Sequence, residues 1–334
     1  VKPHDIVISC SGTLGKTTII QEGDPVGIIS QALLILRSDP EKIQTKFLNY
    51  FLNAREGQYK LLGASHGSVQ VNIAKRSEVE NIELAVPPIP VQNKIVNILS
   101  CLDDKIDLLR RENNTLEEIA QAFFKRWFVE FNFPNDEGKP YRVSRGKMVD
   151  SDLGKIPDGW KAGKIGDILE LKYGEPLKME HRSGKGFPVV GSSGFVGEHL
   201  EAIVKGPGIV VGRKGTMGSV IWIDTDFYPI DTTFYVVDKL QLGTLYYHLL
   251  LLKIQDFQSI SSDSAVPGLN RNSAYSLAVT IPPTGVIGKF NSFSSSIYNK
   301  MTQNSSQIIK LSQLRDTLLP RLVSGNYFHS HKHE

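Results

Sequence analysis

The stretch Asp5–Ile20, DIVISCSGTLGKTTII, returns 203 residues later as Gly208–Ile223, GIVVGRKGTMGSVIWI. Ile6, Val7, Gly12, Thr13, Gly15 and Ile20 recur unchanged, while Ile8 and Leu14 become Val211 and Met217. A second anchor lies downstream. ELAVPPIPVQNK (Glu83–Lys94) meets AVTIPPTGVIGK (Ala278–Lys289) at an offset of 195, so that Pro87, Pro88, Val91 and Lys94 recur as Pro282, Pro283, Val286 and Lys289. The same offset pairs Lys105 with Lys300, Leu116 with Leu311 and Arg126 with Arg321. Solenoid repeats run to roughly 20–50 residues, so a period of ~200 makes each unit a whole domain plus whatever follows it. The first unit is partial: at the 203 offset Val1 corresponds to Val204, and Trp160–Ile203 has no counterpart in the sequence.

After each Pro-Pro the hydrophobic period changes. Ile95, Leu99, Leu102, Ile106, Leu109, Asn113, Leu116, Ala120, Phe123 and Trp127 follow one another in steps of four and three, with charged and amide residues between. Sustained over this length, the pattern predicts a coiled-coil seam. The second copy gives Phe290, Ser294, Ile297, Met301, Asn304, Ile308, Leu311, Arg315, Leu318 and Leu322, a weaker seam containing the Ser-rich run SFSSSIY. Each helix has one apolar stripe to bury, and approximate two-fold symmetry between the copies makes burial against each other antiparallel. Asn113 and Asn304 lie near the helix centres; either they meet and fix register, or both point to the edge. The 37 residues Val91–Trp127 would span ~55 Å as a helix, the dimension of a ruler between domains.

The domains themselves read as mixed α/β. Residues 160–281 alternate short β-like runs with glycine punctuation, followed by a helix over Leu242–Ile260, a polar loop Ser261–Ser273 and a last strand, YSLAVTI. The first copy supplies TKFLNYFLNAREGQYKLL, then GASHGSVQVNIAKRS, then VENIELAV. The expected fold is therefore α+β. Two pseudo-two-fold-related mixed α/β domains, the first incomplete at its N-terminus, are separated by two long antiparallel coiled-coil helices. The boundaries fall at 1–86 (first domain, partial), 87–131 (central helix), 132–159 (connector), 160–281 (second domain), 282–326 (C-terminal helix) and 327–334 (flexible tail).

The loops carry the differing side chains. One copy offers Ser9, Ser11, Lys16, His66, Ser68 and Gln70, the other Arg213, Lys214, Ser264 and Arg271. These are donors and acceptors suited to phosphates and base edges. Asn72 and Asn270 sit at the same framework point and read as turn residues. A net charge of +3 permits a nucleic-acid partner without arguing for one.

Several enzymatic patterns fail on inspection. GTLGKT suggests a phosphate-binding loop, but that motif needs Gly-x4-Gly-Lys-Ser/Thr opening a helix. Cys10 stands where the first glycine belongs, and the β-branched TTII after Lys16 favours strand. Pro157-Asp158 with Glu170-Leu171-Lys172 fits a loose metal-nuclease pattern whose short anchors and free gap match often by chance. The histidines of HSHKHE, His329–Glu334, fit a frayed tail better than a metal site. Two cysteines, Cys10 and Cys101, build no disulfide framework and fit a reducing cytoplasm. No run approaches the ~18 apolar residues of a membrane span.

Three stretches together resemble the specificity (S) subunit of type I restriction-modification systems. They are Pro87–Phe128 as the central helix, the connector Phe131–Trp160 ending in LGKIPDGW, and the recurrent Gly-x-x-Gly strand-turn followed by VPGLN, Val266–Asn270. The resemblance covers essentially the whole chain. It implies two target-recognition domains, each reading half of a split site in double-stranded DNA, with the helices as spacer. It implies two modification (methyltransferase) subunits carrying S-adenosylmethionine, and restriction subunits carrying ATP and Mg. It implies no active site and no cofactor in this chain, and no membrane partner. The competing readings are a coiled-coil assembly scaffold without DNA specificity and a stand-alone metal-dependent nuclease.

Overall fold

The fold is described from a computed structural model covering residues 1–11, 14–63, 65–66, 72–73, 76–260 and 268–324, with the side chains of 65, 66, 72, 73 and 78 left aside. The chain divides into two compact units. One comprises Val1–Arg111 and the chain from Asn304 onward, the other Glu112–Gln303.

The first unit opens with strands β1 (Ile6–Ser9), β2 (Thr17–Ile19) and β3 (Leu33–Leu36), an antiparallel sheet in the order β2-β1-β3. Helices α1 (Thr45–Asn53) and α2 (Arg55–Gly63) follow, then the two-residue strands β4 (Ser65–His66) and β5 (Asn72–Ile73) and helix α3 (Arg76–Glu80). The run expected as one helix from Thr45 is thus two, broken at the extended Ala54. Helix α4 (Ile89–Phe124) begins directly after Pro88, where proline costs no intrahelical hydrogen bond. Ile6, Ile8, Phe47, Phe51, Leu61 and Leu99 form the centre of this unit's core.

The second unit continues α4 as a π-helical turn, Lys125–Val129. Next come β6 (Met148–Ser151), β7 (Gly154–Pro157), β8 (Lys161–Lys164), α5 (Ile165–Ile168) and β9 (Leu169–Tyr173). Strands β10 (Phe187–Gly191), β11 (Gly194–His199), β12 (Gly208–Gly212), β13 (Val220–Ile223), β14 (Tyr228–Pro229) and β15 (Thr233–Asp238) complete the sheets. The main sheet is antiparallel in the order β13-β12-β15-β9, beside a three-stranded sheet β11-β10-β14. Helix α6 (Tyr246–Lys253), helix α7 (Arg271–Ser276), strand β16 (Ala278–Ile281) and helix α8 (Thr284–Val323) follow.

Two sequence expectations shift here. The helix expected over Leu242–Ile260 is confined to α6, and the last strand starts at Ala278 instead of Tyr275. Asn270 explains the second change: its side chain accepts from the backbone N–H groups of Asn272 and Ser273, capping a helical turn. Strand β16 pairs with β8. In the first unit no strand precedes β1 among the described residues, and Ile82–Val86 runs without a ladder partner.

The duplication is exact in register. Strand β1 pairs β2 as Ile6↔Ile19, Val7↔Thr18 and Ile8↔Thr17. Strand β12 pairs β13 as Ile209↔Trp222, Val210↔Ile221 and Val211↔Val220, the same three pairs 203 residues on. Since a one-residue slip would turn every buried side chain outward, the two copies share one hairpin.

The long helices run antiparallel within each unit. In the first, Arg315 donates to Asp103 at 2.9 Å, and Val323 shares a core with Ile95, Val96 and Leu99. Tyr50 of α1 joins this network, donating to the other oxygen of Asp103 at 2.7 Å; burial and that carboxylate push the Tyr50 hydroxyl pKa upward. In the second, Lys300 lies 3.3 Å from Glu112 and the Phe123 and Phe293 rings stand 4.4 Å apart. Asn113 donates to the Met301 carbonyl at 3.3 Å; Asn304, which opens the first unit's part of α8, is fully buried.

Along α4 the seam positions Leu99, Ile106 and Leu109 are buried, Leu102 and Leu116 half-buried. At the end of the helix the seam positions Ala120 and Trp127 are buried, but Phe124, 1% exposed, is buried beside them in place of Phe123, which is 36% exposed. A strict heptad lags a straight helix by about 20° per repeat, roughly one residue after four heptads, so the buried face has turned far enough to take in Phe124 in place of Phe123. The same shift occurs on α8, where Phe290, Ser294, Ile297 and Asn304 are buried, Met301, Ile308, Leu311 and Leu318 half-buried, and Val323 replaces Leu322 inside. The Ser-rich stretch does not rely on α4 alone: Tyr298 stacks on Tyr246 of α6 at 4.4 Å and faces Trp222 at 5.9 Å.

The connector is part of the second unit. Strands β6 and β7 pair as a hairpin. Trp160 at its end packs against Phe133 (5.2 Å), Phe131 (5.4 Å) and Phe128 (6.0 Å).

Candidate nucleic-acid interface

The turn in GTLGKT closes by two backbone hydrogen bonds. Ser9 N–H donates to the Lys16 carbonyl and Gly15 N–H to the Ser9 carbonyl, both at 2.9 Å. In GTMGSV, Gly212 N–H donates to Ser219 and Gly218 N–H to Gly212, at 2.8 and 2.9 Å. Gly15 and Gly218 hold φ of +74° and +73°, a conformation that glycine adopts without steric penalty. Thr17 enters strand β2 rather than a helix, so the Gly-Lys-Thr sequence lacks the helix N-terminus of a phosphate-binding loop.

The residue after the first strand of the hairpin is pinned alike in both copies. Cys10 N–H donates to Ala32 at 2.8 Å, Arg213 N–H to Thr232 at 2.9 Å. The framework is therefore common and the side chains differ: Cys10, Ser11 and Lys16 in one copy, Arg213, Lys214 and Ser219 in the other. In the first copy Ser9 Oγ donates to the Ser11 carbonyl at 3.1 Å, and Lys16 is exposed. His66 pairs through its backbone with Asn72 in the β4–β5 hairpin; Ser68, Gln70 and Ser264 lie outside the described residues.

The second copy concentrates charge. Strands β12 and β9 are both antiparallel to β15, so their C-terminal ends emerge at the same end of the sheet. There Arg213 and Lys214 leave β12 and Tyr173 ends β9. The loop carrying Gly268 to Arg271 joins them, because Lys214 bridges Gly268 and Leu269 N–H donates to the Arg213 carbonyl at 2.8 Å. The guanidinium carbons of Arg213 and Arg271 stand 4.8 and 4.9 Å from the Tyr173 ring centroid. Tyr275 backs Arg271 at 5.9 Å and is itself tied to β9, its hydroxyl accepting from Leu171 N–H at 2.8 Å. Three cations expected from sequence thus converge. Tyr173, which sequence reasoning missed, is the ring that the two arginines share; a lone aromatic in LELKYG carries no distinctive signal.

Two further residues escaped sequence reading. Gln92, fully buried, accepts from Gln44 N–H at 2.8 Å ahead of α1 and donates to Pro87 and Lys42 carbonyls at 2.8 and 3.1 Å. In the second unit Asn291 accepts from Tyr247 N–H at 3.1 Å and donates to Thr244 at 3.4 Å. In each unit an amide on the first turns of the long helix ties the start of a domain helix to it. The job falls on different alignment positions, since Gln92 faces Ile287 at the 195 offset, so the repeat concealed it.

The nuclease-like constellation is accounted for by the connector. Asp158 faces Lys147 at 3.0 Å across the base of the β6–β7 hairpin, and Glu170 and Lys172 are strand residues paired with Val237 and Tyr235.

Residues 1–118 and 157–311 match the type I restriction modification DNA specificity domain. The chain belongs to that family. The two matched regions bracket the two copies. The specificity subunit of the type I restriction enzyme MjaIX of Methanocaldococcus jannaschii is 26% identical over 85% of this chain and 69% of its own length. That of the HindI enzyme of Haemophilus influenzae is 22% identical over 89% and 81%. The crystal structure of the type I restriction-modification S subunit from M. genitalium shares the fold, with a TM-score of 0.56 at 20% identity over 96% of this chain and 83% of that one. The chain is thus a type I specificity subunit, the non-catalytic component of its system. Among the described residues no helix is long and apolar enough to cross a membrane.

Proposed function

We propose that this specificity subunit reads a bipartite double-stranded DNA site, one half with each domain. The α4 and α8 helices set the spacing and dock two modification subunits, and restriction subunits join that core. The observation that carries the reading is the repeated turn: one backbone with the same register and hydrogen bonds presents Cys10, Ser11 and Lys16 in one copy and Arg213 and Lys214 in the other. A shared frame with exchanged donors is what two readers of different short words require. Chemistry falls to the partners, S-adenosylmethionine on the modification subunits and ATP with Mg on the restriction subunits. The methyltransferase takes the target base out of the stack.

The test is selection from a random duplex library by the chain assembled with its modification subunit. One split sequence should be enriched, with an affinity that falls steeply as salt rises. Equal binding to all sequences would leave only an assembly scaffold.

A further inference from the structure

Arg213 and Arg271 come from segments far apart in sequence and rest on one ring. Arg213 is the more firmly held. Its N–H and carbonyl are both engaged, its Nη1 donates to the Asp231 carbonyl at 3.2 Å, and Phe234 lies 5.9 Å from its guanidinium carbon. Arg271 Nε is buried without a hydrogen-bond partner among the described residues. The ion pairs of the described residues include neither guanidinium. Tyr173 is 46% exposed, so the group opens to solvent.

Cation–π contact uses the face of a guanidinium, while its N–H donors lie in the plane. Contact with Tyr173 at 4.8 and 4.9 Å therefore restrains each fork and, apart from the Arg213 Nη1 bond to Asp231 and the buried Arg271 Nε, leaves its in-plane donors available. Guanine offers two acceptors, O6 and N7, on its major-groove edge, and arginine meets both at once. A phosphate needs no such fixed fork, and the exposed Lys214 beside Arg213 supplies a mobile charge for that purpose. Holding the arginines before DNA arrives also removes part of the side-chain ordering cost of binding.

We propose that Tyr173 is a positioning residue for a guanine-reading arginine pair, Arg213 and Arg271, in the half-site of the second domain. This rests on the DNA-recognition reading above. Library selection on the assembled complex tests it. The enriched second half-site contains G·C pairs. Arg213→Lys and Arg271→Lys, which keep the charge but lose the fork, each lower discrimination at one of them by on the order of 10- to 100-fold, with the salt dependence and the first half-site unchanged. Tyr173→Leu lowers discrimination at the same pairs, and Tyr173→Phe, which keeps the ring, restores it. Equal weakening on every sequence, or lost discrimination at A·T pairs only, overturns the proposal while leaving DNA recognition intact. Absence of any preference in the unmutated complex removes both.

Discussion

Gly15 and Gly218 occupy the same turn with nearly the same φ, yet alanine should not cost the same at the two sites. The backbone term is shared, about 1–2 kcal/mol for placing a Cβ in the left-handed region. The surroundings differ. A Cβ on Gly15 would meet Gln58 Oε1 at 3.1 Å, the end of a flexible side chain. A Cβ on Gly218 would lie 2.6 Å from Phe257 Cβ, and Phe257 is 2% exposed. Ordinary carbon contacts need roughly 3.5–4.0 Å, so the turn and the chain carrying Phe257 must part by about an ångström inside a packed core, at ~1–3 kcal/mol. Gly15→Ala should therefore cost about 1–2 kcal/mol and Gly218→Ala ~2–5 kcal/mol. Asparagine separates the contributions, because it tolerates the left-handed conformation: it should rescue most of the loss at Gly15, but at Gly218 only the backbone share, leaving the clash with Phe257 in place. Urea denaturation gives the totals, and hydrogen exchange in the β1–β2 and β12–β13 peptides assigns them to the hairpins. Equal losses for the two alanines, or recovery of nearly the whole loss at Gly218 by asparagine, would refute the reasoning.

Two more outcomes follow from burial. Phe124→Ala should cost ~3–5 kcal/mol, as for a large buried ring, whereas Phe123→Ala should lose about 1 kcal/mol, chiefly its contact with Phe293; thermal or urea unfolding ranks them. His248 is fully buried, with Asp238 Oδ1 3.4 Å and the Ile168 carbonyl 3.3 Å from Nε2. Burial lowers its pKa, outweighing the pull of Asp238. The unfolded chain, with a histidine pKa near ~6.5, then binds the proton better. Stability contributed by the neutral ring is complete above that pH and is lost as pH falls toward the folded pKa, by at most ~1.4 kcal/mol per pH unit. Unfolding curves between about pH 7.5 and about pH 5 should show a shallower slope for His248→Gln; an unchanged slope would exclude the histidine as the cause.

Much of this fold is legible without coordinates, because periodicity and repetition are local in sequence. The offset of 203 already carries the β1–β2 and β12–β13 register: both strands of each hairpin sit on the same offset, so their pairing had to repeat. The Gly-x-x-Gly spacing marks the turn, since a left-handed residue is needed at Gly15 and Gly218. The two Pro-Pro pairs mark where α4 and α8 begin.

Other features depend on distances that sequence does not encode. Whether Phe123 or Phe124 is buried depends on how far the helices follow a heptad rather than a straight 3.6-residue repeat, and packing sets that winding. The capping of α1 by Gln92 and the tie from Asn291 to α6 join residues 48 and 44 positions apart, at places where the two copies do not align. The sequence alone determined that there are two copies, that their hairpins match, and that their loop chemistry differs. Tertiary structure alone decided that Tyr173, Arg213 and Arg271 form one group. An antiparallel sheet returns the ends of β9 and β12 to the same edge, and only that return brings a ring and two cations within 5 Å.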